Sequence, residues 1–213
     1  ELAETRGADA LLLCGDVFDS GKIEAETART VEAALGALPC PVLIAPGNHD
    51  PYFTGSVWES LALPENVYIF KEQNIQSISF PKIPARFWGT AFGAESCPAL
   101  LREFEAPEKT EGIFEIMAIH GDLGSPDSPY HPISQGDLAR SGMDYIALGH
   151  IHARSPLSFA EATAYAYPGC TEGRGYDELG EKGALLVKLS SSGARAEFLP
   201  LNGFRYEILK VDL

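Results

Sequence analysis

Four of the five histidines of this sequence stand in short polar motifs that directly follow apolar runs. His49 lies in Gly47–Asp50, His120 opens His-Gly-Asp, and His150 and His152 form Gly-His-Ile-His. Imidazole is the commonest metal-binding side chain, and a glycine beside it lets the backbone turn sharply enough to aim the ring. This placement predicts that histidines from separate loops converge on a bound cation.

Oxygen donors stand in two of these loops. Asp16 and Asp19 lie three residues apart just after an apolar run, and Asn48 directly precedes His49. Each motif also has a simpler interpretation, because either aspartate could cap the following helix and the asparagine could form an Asx turn. The alternatives stay open for each motif taken alone.

The other histidines differ in how strongly their neighbours indicate metal binding. On an extended segment His150 and His152 would share one face and reach a common cluster, although both could instead be exposed at a strand end. His120 alone could be a buried, hydrogen-bonded histidine. His131, in Ser-Pro-Tyr-His-Pro, has no such neighbours and is expected in a surface loop.

Apolar runs and helical periodicity predict an α/β core whose strands end at these polar motifs. Buried strands are expected at Leu11–Cys14, Val42–Ala45, Phe114–Ile119 and Tyr145–Leu148, and helices at Glu24–Leu38 and Ser134–Ser141. Strand-like segments separated by Gly and Ser turns predict an antiparallel second sheet at Ala164–Tyr167, Gly183–Leu189, Arg195–Leu201 and Tyr206–Val211. Ligands usually bind at the carboxyl ends of strands in such folds.

Composition narrows the class of protein. The 213 residues are 45% hydrophobic, enough for one domain, 1–213, in which 164–213 supplies the second-sheet strands. A polar start and the lack of eighteen consecutive apolar residues predict a cytoplasmic protein with no membrane partner. Four scattered cysteines are expected to be reduced thiols. The net charge of -14 argues against nucleic-acid binding by broad electrostatic attraction, unless bound cations reverse the local field.

The ordered motifs Gly-Asp-x-x-Asp, Gly-Asn-His-Asp, His-Gly and Gly-His-x-His resemble the calcineurin-like metallophosphoesterase family. Three later segments, Tyr167–Cys170, Gly173–Glu178 and Gly180–Gly183, look like its SbcD and YhaO branch of DNA-repair exonucleases. The resemblance implies a four-layer αββα sandwich of two mixed β-sheets flanked by helices. It also implies a phosphodiester hydrolase that acts on DNA, and an SbcC-like ATPase partner.

The resemblance assigns the metal ligands residue by residue. Asp16 would bridge two divalent ions, Asn48, His120 and His150 would complete one of them, and His152 would bind the other. The mixed nitrogen and oxygen ligands favour manganese, with iron, zinc and magnesium as alternatives.

The same resemblance gives the catalytic roles to the Asn-His-Asp motif. His49 would act on the substrate, by protonating the leaving oxygen or steadying the charge on phosphorus. Asp50 would orient the His49 ring by accepting its second N–H.

One motif of the family has no counterpart in this sequence. The family opens with Asp-x-His on a first strand, whereas no aspartate here has a histidine two positions on. The first strand is therefore expected to be missing, and the ion bound by His152 is expected to have an incomplete ligand set. Two other functions stay open: hydrolysis of a small phosphorylated or nucleotide-like substrate, and a non-catalytic interaction module that docks the ATPase partner.

Overall fold

The computed structural model describes residues 1–211, in which two main β-sheets pack face to face. The first sheet is parallel and has the order β1 (Leu11–Leu13), β2 (Val42–Ile44), β3 (Val67–Ile69). The second sheet has the order β10 (Ser158–Ala160), β11 (Thr163–Ala166), β9 (Tyr145–Gly149), β6 (Phe114–His120), β5 (Ala85–Gly89), β4 (Gln76–Ser79). Its four inner strands are parallel and its two edge strands antiparallel, so this sheet is mixed. A separate short pair joins β7 (Asp122–Leu123) to β8 (Pro132–Ile133) in parallel.

The helices are short apart from one. They are α1 (Leu2–Thr5), α2 (Ala25–Gly36), α3 (Val57–Ser60), α4 (Gln135–Arg140) and a 3₁₀ turn at Leu100–Glu103. Ser134 caps α4, since its hydroxyl accepts the backbone N–H of Asp137 while the Asp137 carboxylate accepts the Ser134 N–H. Helix α2 matches the predicted helix Glu24–Leu38, and α4 matches the predicted helix Ser134–Ser141.

Strand β2 shows why the layers stack in this order. Its side chains alternate, so Val42 and Ile44 pack with Leu35 of α2, whereas Leu43 packs with Ala118 of β6 in the second sheet. All three β2 residues are fully buried, which stabilises the fold by roughly 1.5–3 kcal/mol per side chain. The first sheet is therefore covered on one face by α2 and on the other by the second sheet.

Strand β6 repeats this alternation one layer further in. Ile116 and Ala118 face the first sheet, whereas Met117 and Ile119 pack with Leu138 of α4. Helix, sheet, sheet and helix thus follow one another, and the expected αββα sandwich is confirmed, except that the first sheet is parallel in all three strands and is not mixed.

A hairpin, β12 (Gly183–Ser190) and β13 (Gly193–Pro200), covers the part of the second sheet that the first sheet leaves open. Val187 of β12 packs there with Tyr145 and Ala164. The hairpin forms the antiparallel part of the predicted C-terminal sheet.

Two predictions for this C-terminal region are wrong. The segment at Ala164–Tyr167 is strand β11, but it pairs in parallel with β9 inside the second sheet, because its side chains are buried on both faces. Tyr206–Val211 is not a strand: within the described residues it makes only a single bridge from Tyr206 to Leu179. Side chains such as Leu209, 86% exposed, find no sheet to pack on there.

Two further properties concern the state of the cysteines and the length of the helices. Cys14, Cys40, Cys97 and Cys170 are all free thiols, as predicted. Among residues 1–211 no helix has the length and apolar character needed to cross a membrane.

Candidate metal centre

Four loops meet where the two sheets end side by side. Asp16 follows β1 and Asn48 follows β2 in the first sheet, whereas His120 ends β6 and His150 follows β9 in the second. The ligand atoms of Asp16, His120 and His150 lie within 4.8 Å of one another. The structure therefore brings together four of the five predicted metal ligands.

His120 shows that this cluster fits a cation. Its Nδ1 donates to the Cys14 carbonyl at 2.7 Å, so the proton of the neutral ring is on Nδ1 and the Nε2 lone pair points the other way. Asn48 Oδ1 lies 2.9 Å and Asp16 Oδ2 3.2 Å from that Nε2. Three electron-pair donors aimed at one point repel each other unless a proton or a metal ion lies between them. The donor set suits a divalent ion that takes nitrogen and oxygen ligands.

Glycines permit the loops to come this close. A Cβ added to Gly149 would lie 1.7 Å from the Cys14 carbonyl oxygen, where β9 approaches the end of β1. A Cβ on Gly47 would lie 2.3 Å from Asp16 Oδ1. Any larger residue at these two positions would push the ligand-bearing loops apart.

Two of the ligands have unusual backbones. Asp16 has φ of 54° and His150 has φ of 100°, a region that non-glycine residues seldom occupy. Such conformations persist where the surrounding contacts enforce them, and they cluster at functional sites.

Asp50 has a different role from the predicted one. Its carboxylate is fully buried and accepts four backbone N–H groups, from Asp16 (3.0 Å), Val17 (2.8 Å), Phe18 (3.2 Å) and Gly47 (2.7 Å). It makes no hydrogen bond to the His49 ring within the described residues, because the amides already occupy both oxygens. Burial raises the pKa of Asp50 to about 6, although these amides act in the opposite direction. Asp50 therefore fixes two ligand loops and does not orient His49.

His49 is placed where a substrate can reach it. It is exposed, between the buried residues Asn48 and Asp50, and its backbone N–H donates to Asp16 Oδ1 at 2.9 Å. The ring is thus attached to the cluster by its backbone and remains free to act on a substrate.

The surroundings of Asp16 and His150 lower the pKa values of both side chains. Burial alone would raise the pKa of Asp16, but a proton on His120 Nε2 in the metal-free cluster gives a hydrogen bond and an ion pair that outweigh burial and lower that pKa. Burial lowers the pKa of His150, and neighbouring His120 adds to this effect. Both shifts favour the unprotonated forms that bind metal ions.

His152, the fifth predicted ligand, lies apart from this cluster. Its Nδ1 contacts Glu178 Oε1 at 2.5 Å, and its ligand atoms group with those of Cys170 and Glu178 instead of Asp16. Glu178 stands in the segment Gly173–Glu178 used for the resemblance, but sequence reasoning gave it no role. Glu178 and His152 are close in the folded protein but 26 residues apart in the chain, so no short sequence motif joins them.

The prediction for His131 is wrong. The residue is fully buried, its Nδ1 donates to the His120 carbonyl at 2.9 Å and its Nε2 accepts the Leu101 N–H at 3.3 Å. Burial lowers its pKa to about 4, so the ring is neutral near pH 7. The centroid of the neighbouring Tyr130 ring lies 5.1 Å from that of the His150 ring. The loop that carries Tyr130 and His131 therefore packs against the cluster.

Asp19 does not join the ligands. Its exposed carboxylate pairs with Arg174 at 2.8 Å. Helix α2 has Glu24 as its N-cap, so neither Asp16 nor Asp19 caps it.

Comparison with known proteins agrees with this geometry. The chain is 35% identical over 213 residues to the "Uncharacterized metallophosphoesterase YhaO" of Bacillus subtilis, an alignment that covers 96% of this chain and 51% of that protein. It is 27% identical over 204 residues to the "DNA double-strand break repair protein Mre11" of Aeropyrum pernix, covering 85% of this chain and 48% of that protein. The chain therefore spans about half the length of these relatives.

A family profile points the same way. The profile of the calcineurin-like phosphoesterases matches residues 1–154, which contain every residue of the converging cluster. Together with the relative at 35% identity, this match confirms the resemblance seen in the motifs. The chain belongs to the calcineurin-like phosphoesterase family.

Proposed function

We propose that this protein hydrolyses phosphodiester bonds of DNA, in the manner of an exonuclease, with two divalent cations. The observation that carries the proposal is the convergence of Asp16 Oδ2, Asn48 Oδ1 and His120 Nε2, with His150 beside them. The family supplies metal-dependent phosphoesterase chemistry. The relative named as a DNA double-strand break repair protein supports DNA as the substrate.

Within this proposal each side chain has a separate task. Asp16, Asn48, His120 and His150 would hold one cation, and His152 would help to hold a second. The chemistry that such a cation pair supplies is activation of a water and neutralisation of phosphate charge. His49 is the group of this chain that meets the substrate, and it donates a proton to the leaving oxygen.

The metal follows from the donor atoms. Imidazole nitrogen, amide oxygen and carboxylate oxygen suit manganese, iron, zinc or magnesium, and the absence of a thiolate from the converging cluster favours manganese as the first choice.

A second candidate function is hydrolysis of a small phosphorylated or nucleotide-like substrate. The net charge of -14 favours it, as does the pairing of Arg174 with Asp19 and of Arg205 with Glu181 and Glu207. Arginines already neutralised by carboxylates contribute little to phosphate binding.

A third candidate is a non-catalytic module that docks an SbcC-like ATPase. It predicts that the wild type turns over neither DNA nor a small phosphate ester.

One experiment separates these functions. Purified protein is incubated with Mn²⁺ and either end-labelled duplex DNA or bis(p-nitrophenyl) phosphate, with His150→Ala as the metal-site variant and Lys188→Ala as a surface control. Release of nucleotides from DNA that is lost in His150→Ala supports the proposal. Turnover of the small ester alone selects the second function. If the wild type turns over neither substrate, the enzymatic proposal is wrong.

A further inference from the structure

His152 and Glu178 form a hydrogen-bonded pair, and further contacts hold each of the two residues in place. Glu178 Oε1 contacts His152 Nδ1 at 2.5 Å, while Glu178 Oε2 accepts the backbone N–H of Arg174 at 2.7 Å. The Glu178 side chain is only 9% exposed, so its carboxylate is largely shielded from water. The carboxylate is therefore a fixed acceptor facing His152.

A fixed acceptor decides which nitrogen of His152 is free. Since a carboxylate only accepts hydrogen bonds when ionised, the proton of the neutral ring must be on Nδ1. The lone pair is then on Nε2. The His152 side chain is 44% exposed, so the ring is open to solvent on part of its surface.

The backbone of His152 is held as well. Its carbonyl accepts the backbone N–H of Cys170 and the Nζ of Lys182, both at 3.3 Å. Lys182 is 7% exposed, which makes this an internal contact. Ring and main chain are thus fixed by one segment, Cys170–Lys182.

The same segment reaches the loop that carries Asp16. Arg174 Nη1 pairs with Asp19 Oδ2 at 2.8 Å, three residues after Asp16. Segment 170–182 therefore connects His152 to the loop that carries Asp16.

Cys170 suggests another arrangement, in which His152, Cys170 and Glu178 together chelate an ion. The hydrogen bonds argue against it. Both oxygens of Glu178 are occupied, one by the His152 ring and one by the Arg174 amide, so a cation there would have to break a charge-assisted hydrogen bond.

We propose that Glu178 is a positioning residue that holds His152 with its Nε2 presented to a divalent cation. The inference rests on the proposed function, in which His152 is a ligand of the second ion. A carboxylate behind a metal-binding imidazole fixes its tautomer and increases its basicity, and loss of such a partner typically lowers metal affinity by about 10- to 100-fold.

The test is ¹⁵N NMR of the histidine rings, with Zn²⁺ as a diamagnetic probe and His152→Asn to assign the signals. In the wild type, the metal-free His152 ring is expected in the Nδ1–H form, and Zn²⁺ shifts its Nε2 signal. In Glu178→Gln and Glu178→Ala, half-saturation of that shift requires about 10- to 100-fold more Zn²⁺, and the Ala variant loses the tautomer preference. Glu181→Gln, which removes a charge from the same segment, serves as the matched control.

The outcomes separate this proposal from the proposed function. Coordination through Nδ1, or coordination that disappears in Cys170→Ser, overturns it in favour of the chelate with Cys170. Unchanged tautomer and Zn²⁺ dependence in both Glu178 variants also overturn it, while Zn²⁺ shifts at His120 and His150 leave the proposed function standing. If Zn²⁺ shifts none of the three rings, the proposed metal site itself is wrong.

Discussion

The carboxylate of Asp50 accepts the backbone N–H of Asp16 at 3.0 Å, although 34 residues separate them in the chain. With the amides of Val17 and Phe18 this contact fixes the loop after β1, and with Gly47 it fixes the loop after β2. One buried side chain thus sets the distance between two loops of the converging cluster.

We expect Asp50→Asn to destabilise the protein and weaken metal binding together. The amide NH₂ would face backbone donors and leave buried N–H groups unpaired, at a cost of about 1–3 kcal/mol. Urea denaturation at pH 8, followed by Mn²⁺ titration of the folded variant, measures both effects. Asp127→Asn on the exposed loop is the matched control. Wild-type stability together with wild-type Mn²⁺ affinity would contradict this role for Asp50.

His49→Ala tests the substrate-facing role. The contact of this residue with Asp16 uses its backbone N–H, so the substitution preserves the metal cluster. Turnover of DNA should fall by about 10²- to 10⁴-fold while Mn²⁺ affinity is unchanged. The loss should be smaller for a p-nitrophenyl ester, whose leaving group needs no proton. An equal loss for both substrates would argue that His49 does not protonate the leaving oxygen.

His131 should make stability depend on pH. Its pKa is lowered from the ordinary value of 6.5 to about 4, so below pH 6.5 the unfolded chain binds a proton that the folded protein excludes. The stabilisation is complete above pH 6.5 and is lost as the pH falls toward 4, by on the order of 3 kcal/mol. Urea denaturation of the wild type and of His131→Asn at pH 5 and pH 7.5 checks this. The variant should show a smaller decrease between the two pH values, and an equal decrease in both proteins would refute the prediction.

Gly149→Ala should be among the most damaging single substitutions in the chain. The new methyl group would lie 1.7 Å from the Cys14 carbonyl oxygen, and backbone on both sides prevents relief by a side-chain rotation. Overpacking of this kind costs typically about 1–3 kcal/mol, and more where backbone must move. Thermal denaturation compares it with Gly203→Ala, where the methyl group meets nothing within 4 Å. Similar melting temperatures for the two variants would show that the β1 and β9 ends are not so closely apposed.

Much of the fold was predictable because local signals and burial agree. Val42–Ile44 is apolar throughout and ends at a polar loop, and it is a central strand as expected. The strands between Pro51 and Pro107 were not predicted, since β3, β4 and β5 are only three to five residues long and two of them, Gln76–Ser79 and Ala85–Gly89, mix polar with apolar residues. Such short strands are specified by the sheets they join and not by their own sequence.

The convergence of the polar loops was predictable from residue types, but the contacts that support it were not. Asp16 and His120 lie in motifs that glycine and position make visible. Asp50, Glu178 and His131 act through hydrogen bonds to residues far away in the chain, and a sequence does not reveal which buried acceptor faces which amide. For that reason Asp50 was assigned to the wrong partner and His131 to the surface.

Asp16 and His150 have left-handed backbone conformations, which lower the stability of the fold at two positions whose side chains the proposed activity needs. A non-glycine residue held in this way costs of order 1–3 kcal/mol, and a glycine there would relieve it while deleting a ligand. Selection of random variants for heat resistance alone should therefore enrich glycine at both positions and yield sturdier but inert proteins. Selection that also demands turnover should never recover them.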